Sequence, residues 1–244
     1  MMESARSTVP TTPMAFIAPK LPLIPQKTWE PKAADFILER FVANVENRPF
    51  MVALVGIPGS GKSTSAEIVA KELSTKMHSV APMIMPHDGY HYPLAELRLF
   101  PDSDDAVYRR GAPDTFDASA LLRDLQRLKC GSEQMIAVPG FDHAKGDPEY
   151  DAHVFDRELH NLVICEGLYL LHDSDGWEEI KKQFDVCIYI DSDACVERLK
   201  IRNAVIPGYT LEKLMVRVDS VDRANAMTVQ KSKKFADLQV TSFF

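Results

Sequence analysis

One octapeptide constrains the fold of this chain more than any other segment: Gly56-Ile57-Pro58-Gly59-Ser60-Gly61-Lys62-Ser63. It fits G-x-x-x-x-G-K-[ST], the phosphate-binding P-loop. The apolar run at residues 50–55 predicts a buried strand before the loop, and residues 65–76 predict a helix after it. Because the motif requires a strand before it and a helix after it, the context favours a P-loop over a chance Gly-rich turn.

Each residue type in the loop has a physical role in binding a polyphosphate. The glycines let the backbone curl so that successive N–H groups point inward, at the positive end of the helix dipole. Lys62 is expected to reach the β- and γ-phosphates, and the Ser63 hydroxyl to hold Mg²⁺. The predicted nucleotide contacts are Gly56, Pro58, Gly59, Ser60, Gly61, Lys62, Ser63 and Thr64.

Length and composition narrow the class of protein. The chain has 244 residues, of which 45% are hydrophobic and 26% charged, as in an ordinary globular protein of one or two domains. The net charge of −7 argues against a general nucleic-acid binder. No apolar run approaches the ~18 residues that span a bilayer, no signal peptide is evident, and the cysteines form no C-x-x-C pair. We therefore expect a cytoplasmic protein without nucleic-acid or membrane partners, and a homo-oligomer stays open.

The first 31 residues differ in composition from the rest. They contain six of the 16 prolines and no glycine, which prevents a helix and favours an extended chain. A targeting peptide is the alternative, but Arg6 is the only arginine of this segment and the prolines disfavour an amphipathic helix. We predict a proline-rich extension at 1–31 and a single domain at 32–244.

Strands and helices alternate along that domain. The predicted helices cover residues 32–47, 65–76, 118–128, 194–203 and 211–231, and the predicted strands cover 50–55, 79–86, 135–138, 161–165, 185–190 and 236–241. Uninterrupted apolar strands are typical of parallel sheets that are covered on both faces. The pattern predicts a three-layer α/β P-loop NTPase fold with a doubly wound, mainly parallel sheet.

Two carboxylates follow predicted strands. Asp88 comes after the strand at 79–86, and Glu166 comes after the strand at 161–165. In doubly wound sheets, ligands lie beyond the carboxyl ends of the strands. Phosphoryl transfer to a hydroxyl needs a base for the proton and Mg²⁺ for the phosphate charge, and these carboxylates could divide the two tasks. The alternative is that each one caps a turn or a helix.

Four further motifs follow the P-loop in order: His87-Asp88-Gly89-Tyr90-His91, Arg-Arg-Gly-Ala-Pro-Asp-Thr-Phe-Asp at 109–117, Pro-Gly-Phe-Asp-His at 139–143, and Glu166-Gly167. The series resembles the uridine kinase, phosphoribulokinase and bacterial-type pantothenate kinase family, over residues 50–241. It is most similar to a branch known only as kinase-like or nucleoside triphosphate hydrolase proteins. The resemblance implies ATP and Mg²⁺ as cofactors, Asp88 as the base for an acceptor hydroxyl, and Glu166 as an aid to the metal and the phosphates.

Members of that family also carry arginines on a mobile lid. Arg198 and Arg202 are four residues apart and therefore share one helix face. Together with Lys62 they are interpreted as catalytic, because guanidinium groups could stabilise the charge of the transition state. The predicted lid spans about 194–210, with Gly208 as a hinge. The alternative is a solvated charged face of an ordinary helix.

The acceptor pocket is predicted on two loops rich in turn residues. Arg109 and Arg110 have no role in a regular helix or strand, so they are expected to bind an anionic or polyhydroxyl molecule. The predicted acceptor contacts are Asp88, Tyr90, His91, Arg109, Arg110, Phe141, Asp142 and His143. Asp117 is a candidate helix N-cap. A zinc site at His87 and His91 is an alternative, disfavoured because Gly89 lies between them and no H-E-x-x-H is present.

These observations predict an ATP-dependent small-molecule kinase that transfers the γ-phosphoryl group to a nucleoside-, sugar- or pantothenate-like hydroxyl. A nucleoside triphosphate hydrolase, with water in place of the acceptor, is one alternative. A nucleotide-responsive binding protein is another, although a binder would need only the P-loop and not Asp88, Glu166 and the arginines. The sequence does not name the acceptor.

Overall fold

The computed structural model describes residues 28–44, 46, 49–192, 195–203 and 210–242, without the side chains at 197, 201–203, 211, 213 and 214. Most of the predicted proline-rich extension, residues 1–27, therefore lies outside the described residues. So do positions 204–209 of the predicted lid, which include Gly208.

Helices and strands alternate along the described chain, as predicted. In chain order they are α1 (Glu30–Ala43), β1 (Phe50–Gly56), α2 (Lys62–Lys76), β2 (Pro82–Pro86), α3 (Leu94–Leu97), α4 (Ser103–Tyr108), α5 (Ala118–Cys130), β3 (Met135–Asp142), β4 (Asp147–Asp156), β5 (Leu162–Gly167), β6 (Val186–Asp191), α6 (Cys195–Asn203), α7 (Leu211–Arg217), α8 (Arg223–Lys231) and β7 (Leu238–Thr241). A π-helical segment at Val218–Asp222 joins α7 to α8, so the predicted helix at 211–231 is continuous but irregular.

The central sheet has five parallel strands in the order β2-β5-β1-β6-β7. β1 lies in the middle and pairs with β5 on one side and β6 on the other. Strand order departs from chain order at β1, where neighbouring connections lead to opposite sides of the sheet. This confirms the α/β P-loop fold with a doubly wound, mainly parallel sheet.

The core lies on both faces of this sheet, and successive side chains of β1 belong alternately to one face and the other. All seven residues of β1 are buried. Met51, Ala53 and Val55 belong to a cluster that includes α5 and the β3–β4 pair. The residues between them, such as Val52 and Leu54, pack with α1 and α2 on the other face. Because successive side chains of a strand point to opposite faces, an unbroken apolar run is what a strand between two helical layers requires.

Two strands lie outside the parallel sheet, contrary to prediction. β3, predicted at 135–138 as part of the main pattern, pairs antiparallel with β4 in a separate two-stranded sheet. β4 itself was not predicted. Its sequence at 147–156 has only one fully buried position and several exposed ones, so it lacks the apolar alternation that indicates a strand. Residues 139–142 of the predicted acceptor loop form the end of β3, so most of that segment is strand and not loop.

Candidate active site

The P-loop joins the end of the central strand to the start of a helix. β1 ends at Gly56 and α2 begins at Lys62. Gly59 and Gly61 have φ angles of 77° and 89°, which glycine adopts at little cost. A Cβ atom at Gly59 would lie 2.7 Å from the carbonyl oxygen of Cys195. The loop therefore needs glycine both for its curvature and for its close contact with α6.

The polar groups of the loop leave room for further hydrogen bonds. The Ser60 amide and the Lys62 Nζ both donate to the carbonyl oxygen of Ile57, at 3.1 and 3.2 Å. The Ser60 hydroxyl is buried and has no hydrogen-bond partner within the described ranges. Because a buried hydroxyl is costly to leave unpaired, this arrangement fits a loop that is completed by a phosphate. Pro58 and Thr64, two further predicted contacts, lie in the loop and in the first turn of α2.

Ser63 and Glu166, the predicted metal residues, are in direct contact. The Ser63 hydroxyl donates to Glu166 Oε1 at 2.9 Å. Glu166 is the penultimate residue of β5, which lies next to β1 in the sheet. Burial and the neighbouring Asp88 carboxylate raise the pKa of Glu166 to about 7. These oxygen groups fit Mg²⁺, which prefers oxygen ligands and would compensate the buried negative charge.

Asp88 lies on a short turn directly after β2, at the same edge of the sheet as Glu166. Its side chain is 40% exposed. Burial alone would raise the pKa of Asp88, but the nearby His87, His91 and Lys62 hold it well below its ordinary value. The site thus contains an ionised Asp88 beside a Glu166 that titrates near neutrality. Two carboxyl groups whose pKa values are separated by their environments are suited to different tasks.

An aromatic surface lies next to Asp88. The His91 ring packs on Phe116 with ring centroids 3.8 Å apart, and its centroid lies 5.1 Å from that of Phe141. The His143 ring contacts Phe141 at 5.2 Å. Burial lowers the pKa of His91 to about 4, so its ring is neutral at physiological pH. The structure therefore brings together three of the predicted acceptor residues and adds Phe116 to them.

The two predicted acceptor arginines are engaged within the protein. Arg109 forms ion pairs with Asp105 of α4 and with Asp114 of the loop that follows. Arg110 Nη2 donates to Asp147 Oδ1 at 2.8 Å and to the carbonyl oxygen of Tyr92 at 3.0 Å, and Nη1 donates to the carbonyl oxygen of Gly146. Arg110 thus fastens the turn of the β3–β4 hairpin to the segment after β2. Binding of an acceptor by either guanidinium stays a prediction.

Two further predicted acceptor residues have structural contacts. Tyr90 is 3% exposed and its hydroxyl donates to Asp124 of α5 at 2.9 Å. Its ring therefore lies in the core and not on an open surface of the pocket, as an acceptor contact would require. The Asp142 carboxylate accepts from the amides of Ala144 and Lys145 at 2.8 and 3.1 Å and pairs with the Lys145 ammonium at 3.0 Å. Asp142 shapes the hairpin turn.

The helix that carries the predicted lid arginines packs on the P-loop. Leu199 of α6 approaches Gly59 so closely that a Cβ atom there would lie 3.0 Å from Leu199 Cγ. The Arg198 guanidinium donates to the Ser192 hydroxyl just after β6. The side chain of Arg202 lies outside the described residues, so a shared helix face for Arg198 and Arg202 stays a prediction. The lid remains a prediction.

Sequence reasoning missed two aromatic residues of the site. His87 is fully buried behind Asp88, and Phe116 packs against both His87 and His91. Both lie inside motifs that carried the resemblance, but the spacing of a turn does not tell which way its side chains point. Asp117, by contrast, was predicted as an N-cap, and it accepts from the Ala120 amide at 2.8 Å.

Two exclusions hold for the part of the chain that the structure describes. No helix there has the length and hydropathy to cross a membrane. No group of three or more His, Cys, Asp and Glu side chains there is placed to hold a metal ion. The zinc alternative at His87 and His91 therefore gains no support from the structure.

Comparison with known proteins identifies the family. Residues 51–243 match the model of the phosphoribulokinase/uridine kinase family. One relative is a Schizosaccharomyces pombe protein with the provisional name uridine kinase, which is 33% identical to this chain over 191 residues. The match covers 77% of this chain and 81% of that protein. A pantothenate kinase of Allorhizobium ampelinum is 31% identical over 162 residues, covering 63% of this chain and 47% of that enzyme.

A solved structure supports the same relationship. A protein of Silicibacter sp. TM1040, provisionally described as a fructose transport system kinase, has a TM-score of 0.76 to this chain and 30% sequence identity. The match covers 86% of this chain and 98% of that one. Because the family model spans most of the sequence, and the yeast and Silicibacter proteins match over most of their length, the chain belongs to the phosphoribulokinase/uridine kinase family.

Proposed function

We propose that this protein is an ATP-dependent small-molecule kinase that transfers the γ-phosphoryl group to a hydroxyl of a nucleoside-, sugar- or pantothenate-like acceptor. One observation carries the proposal: the strand ends beside the P-loop hold an ionised Asp88 and a Glu166 bonded to Ser63. A protein that only binds nucleotide has no need of a second, ionised carboxylate at this edge.

On the donor side, the P-loop amides and Lys62 bind the phosphates and balance their charge. Ser63 and Glu166 would hold Mg²⁺, which would supply positive charge to the phosphate oxygens. The raised pKa of Glu166 is that of a buried carboxylate short of positive charge. This is the environment in which a cation adds most to the stability of the site.

On the acceptor side, Asp88 orients the hydroxyl and accepts its proton as the new P–O bond forms. Its pKa keeps it ionised at neutral pH, so it is ready to accept a hydrogen bond from the hydroxyl. The rings of His91 and Phe141, with the buried Phe116 packed against His91, offer an apolar surface on which the body of the acceptor can rest. Arg198 adds positive charge from the side of α6.

The acceptor class rests on this surface and on the names of the relatives. Those names refer to uridine, pantothenate and fructose, which share an alcohol group and little else. The polar and aromatic groups around Asp88 are compatible with each of them. We therefore assign the class of reaction and leave the acceptor as a set of candidates for the experiment.

The test is an ATP-consumption screen over nucleosides, sugars, sugar acids and vitamin precursors, followed by the Asp88→Asn variant. An acceptor should stimulate turnover many-fold, and Asp88→Asn should lower transfer by roughly 10²–10⁴-fold while ATP affinity stays unchanged. Asp35→Asn is the matched control, because Asp35 carries the same charge on the surface of α1 and pairs with Lys76 at the far end of α2 from the P-loop. Transfer that survives in Asp88→Asn would contradict the role of this carboxylate, and phosphate release unaffected by any acceptor would favour a hydrolase.

A further inference from the structure

His87 is a buried residue to which the proposed reaction assigns no role. Its side chain is fully buried. Its ring centroid lies 4.2 Å from that of Phe116, 5.4 Å from Trp177 and 6.0 Å from Tyr169. Neither ring nitrogen has a hydrogen-bond partner within the described ranges. Burying an imidazole among aromatic rings costs free energy, because its nitrogens lose their hydrogen bonds to water and gain none in the protein.

The backbone of β5 fixes the position of this ring. A Cβ atom at Gly167 would lie 2.4 Å from Cβ and 2.6 Å from Cγ of His87. The absence of a side chain at Gly167 therefore provides the space in which His87 sits. With β5 on one side and aromatic rings on the others, the imidazole has little freedom to rotate. The next residue in the chain is Asp88.

The nearest charged partner of this fixed ring is the Asp88 carboxylate. His87 Nδ1 lies 3.7 Å from Asp88 Oδ1, which is longer than a hydrogen bond by roughly 0.8 Å. Asp88 is 40% exposed and has space beside it, whereas the His87 ring is enclosed on its sides. Hydrogen bonds of catalytic groups are often long in the free enzyme and shorten when the reactants bind.

We propose that His87 is a positioning residue: its Nδ1–H donates to Asp88 Oδ1 when the acceptor is bound and leaves Oδ2 for the acceptor hydroxyl. The inference rests on the proposed function, because it assumes that Asp88 is the base. Burial lowers the pKa of His87, so the ring stays neutral and orients the carboxylate without protonating it. The other ionisable groups that interact with Asp88 are Lys62, His91, Arg110, Glu166 and Tyr169.

Two substitutions separate the hydrogen bond from the packing. His87→Phe keeps an aromatic ring in the enclosure but removes the donor, and His87→Asn keeps an N–H near the position of Nδ1. We expect His87→Phe to lower kcat by about 10-fold with little change in the KM for ATP, and His87→Asn to recover most of that loss. Melting temperature and ATP affinity report whether each variant is folded. An equal loss of kcat in both variants, or no loss in His87→Phe, would overturn the proposal.

A double substitution tests whether His87 acts through Asp88. If it does, His87→Phe should lower kcat no further when Asp88 is already asparagine. Effects that multiply in the double variant would show that His87 acts in another way. If Asp88→Asn alone leaves transfer intact, the proposed function fails together with this inference. If Asp88→Asn abolishes transfer and only the His87 variants behave otherwise than expected, the inference fails alone.

The tautomer of His87 provides a readout that needs no acceptor. ¹⁵N NMR of the 244-residue chain with labelled histidine should show a neutral ring protonated at Nδ1 near pH 7. A ring protonated at Nε2 would contradict the proposal whatever the acceptor is, because no Nδ1–H would then be available to Asp88.

Discussion

Replacing Gly167 by alanine tests whether the packing of β5 against the turn after β2 sets the geometry of the site. The new Cβ atom would lie 2.4 Å from Cβ of His87, whereas ordinary contacts of a Cβ atom begin near 3.4 Å. Both atoms are close to the backbone of buried segments, so a side-chain rotation cannot relieve the overlap. Either β5 or the turn that carries Asp88 must move by about 1 Å, and overpacking of this kind costs about 1–3 kcal/mol.

The expected result has two parts. For a domain of this size each kcal/mol changes the melting temperature by about 2–4 °C, so Gly167→Ala should lower it by roughly 2–12 °C. A displacement of about 1 Å at a catalytic group can lower turnover by about 10²-fold, and we expect kcat to fall while ATP affinity stays near that of the unmodified protein. Differential scanning calorimetry and steady-state kinetics with the acceptor measure the two effects.

Gly176→Ala is the matched control. Gly176 has a φ angle of 91°, and a Cβ atom added there would have no neighbour within 4 Å among the described residues. Alanine at this position therefore adds backbone strain of about 1–2 kcal/mol without crowding the site. This variant should lose stability and keep its kcat. If Gly167→Ala melts at the original temperature with full activity, or if both variants lose kcat equally, the steric argument is wrong.

Three further predictions concern the charge of Glu166, the attachment of the β3–β4 hairpin by Arg110 and the burial of Leu125 in the core. The pKa of Glu166 is about 7 in the folded protein, above the ordinary value of 4.5 that applies when the chain is unfolded, so its ionisation should cost stability as pH rises from about 4.5 to 7. In metal-free buffer, the free energy of unfolding of Glu166→Gln should therefore exceed that of the original protein by about 1–3 kcal/mol at pH ~8 and differ little from it at pH ~4. Equal pH profiles in urea unfolding would refute this. Arg110→Ala should free the hairpin turn from its contact with Asp147 and cost about 1–3 kcal/mol, with faster proteolysis of the turn; unchanged cleavage would argue against the attachment. Leu125→Ala, in the core, should cost about 2–5 kcal/mol, while Leu159→Ala, 61% exposed, should cost less than about 0.5 kcal/mol, and similar values in chemical denaturation would contradict the assigned core.

The donor half of the site was predictable from the sequence because its parts are contiguous. Eight residues from Gly56 to Ser63 specify the turn, and the buried strand before it supplies the context. Ser63 and Glu166, 103 positions apart, were each assigned to the metal, and the structure places their side chains in contact. Ligands of doubly wound sheets lie beyond the carboxyl ends of the strands, where the P-loop after β1 and the end of β5 both lie.

The acceptor half was predictable only in part. Asp147, the partner of Arg110, lies on a strand whose exposed, polar sequence does not indicate a strand. Without β4, nothing in the sequence shows that the arginine is occupied. The burial of Tyr90 was not predictable for a related reason: this residue lies on a turn, where no periodicity indicates which side chains face the core. Local patterns specify elements, whereas the contacts between loops depend on the whole fold.

The separation of the β3–β4 hairpin from the main sheet has a consequence for how such proteins diverge. The hairpin forms its own two-stranded sheet and is fastened at its turn by the side chain of Arg110. Insertions or replacements in it would leave the hydrogen bonds of the five parallel strands intact. Evolution could therefore exchange this unit, and with it the chemistry offered to the second substrate, while the nucleotide end of the molecule is inherited unchanged.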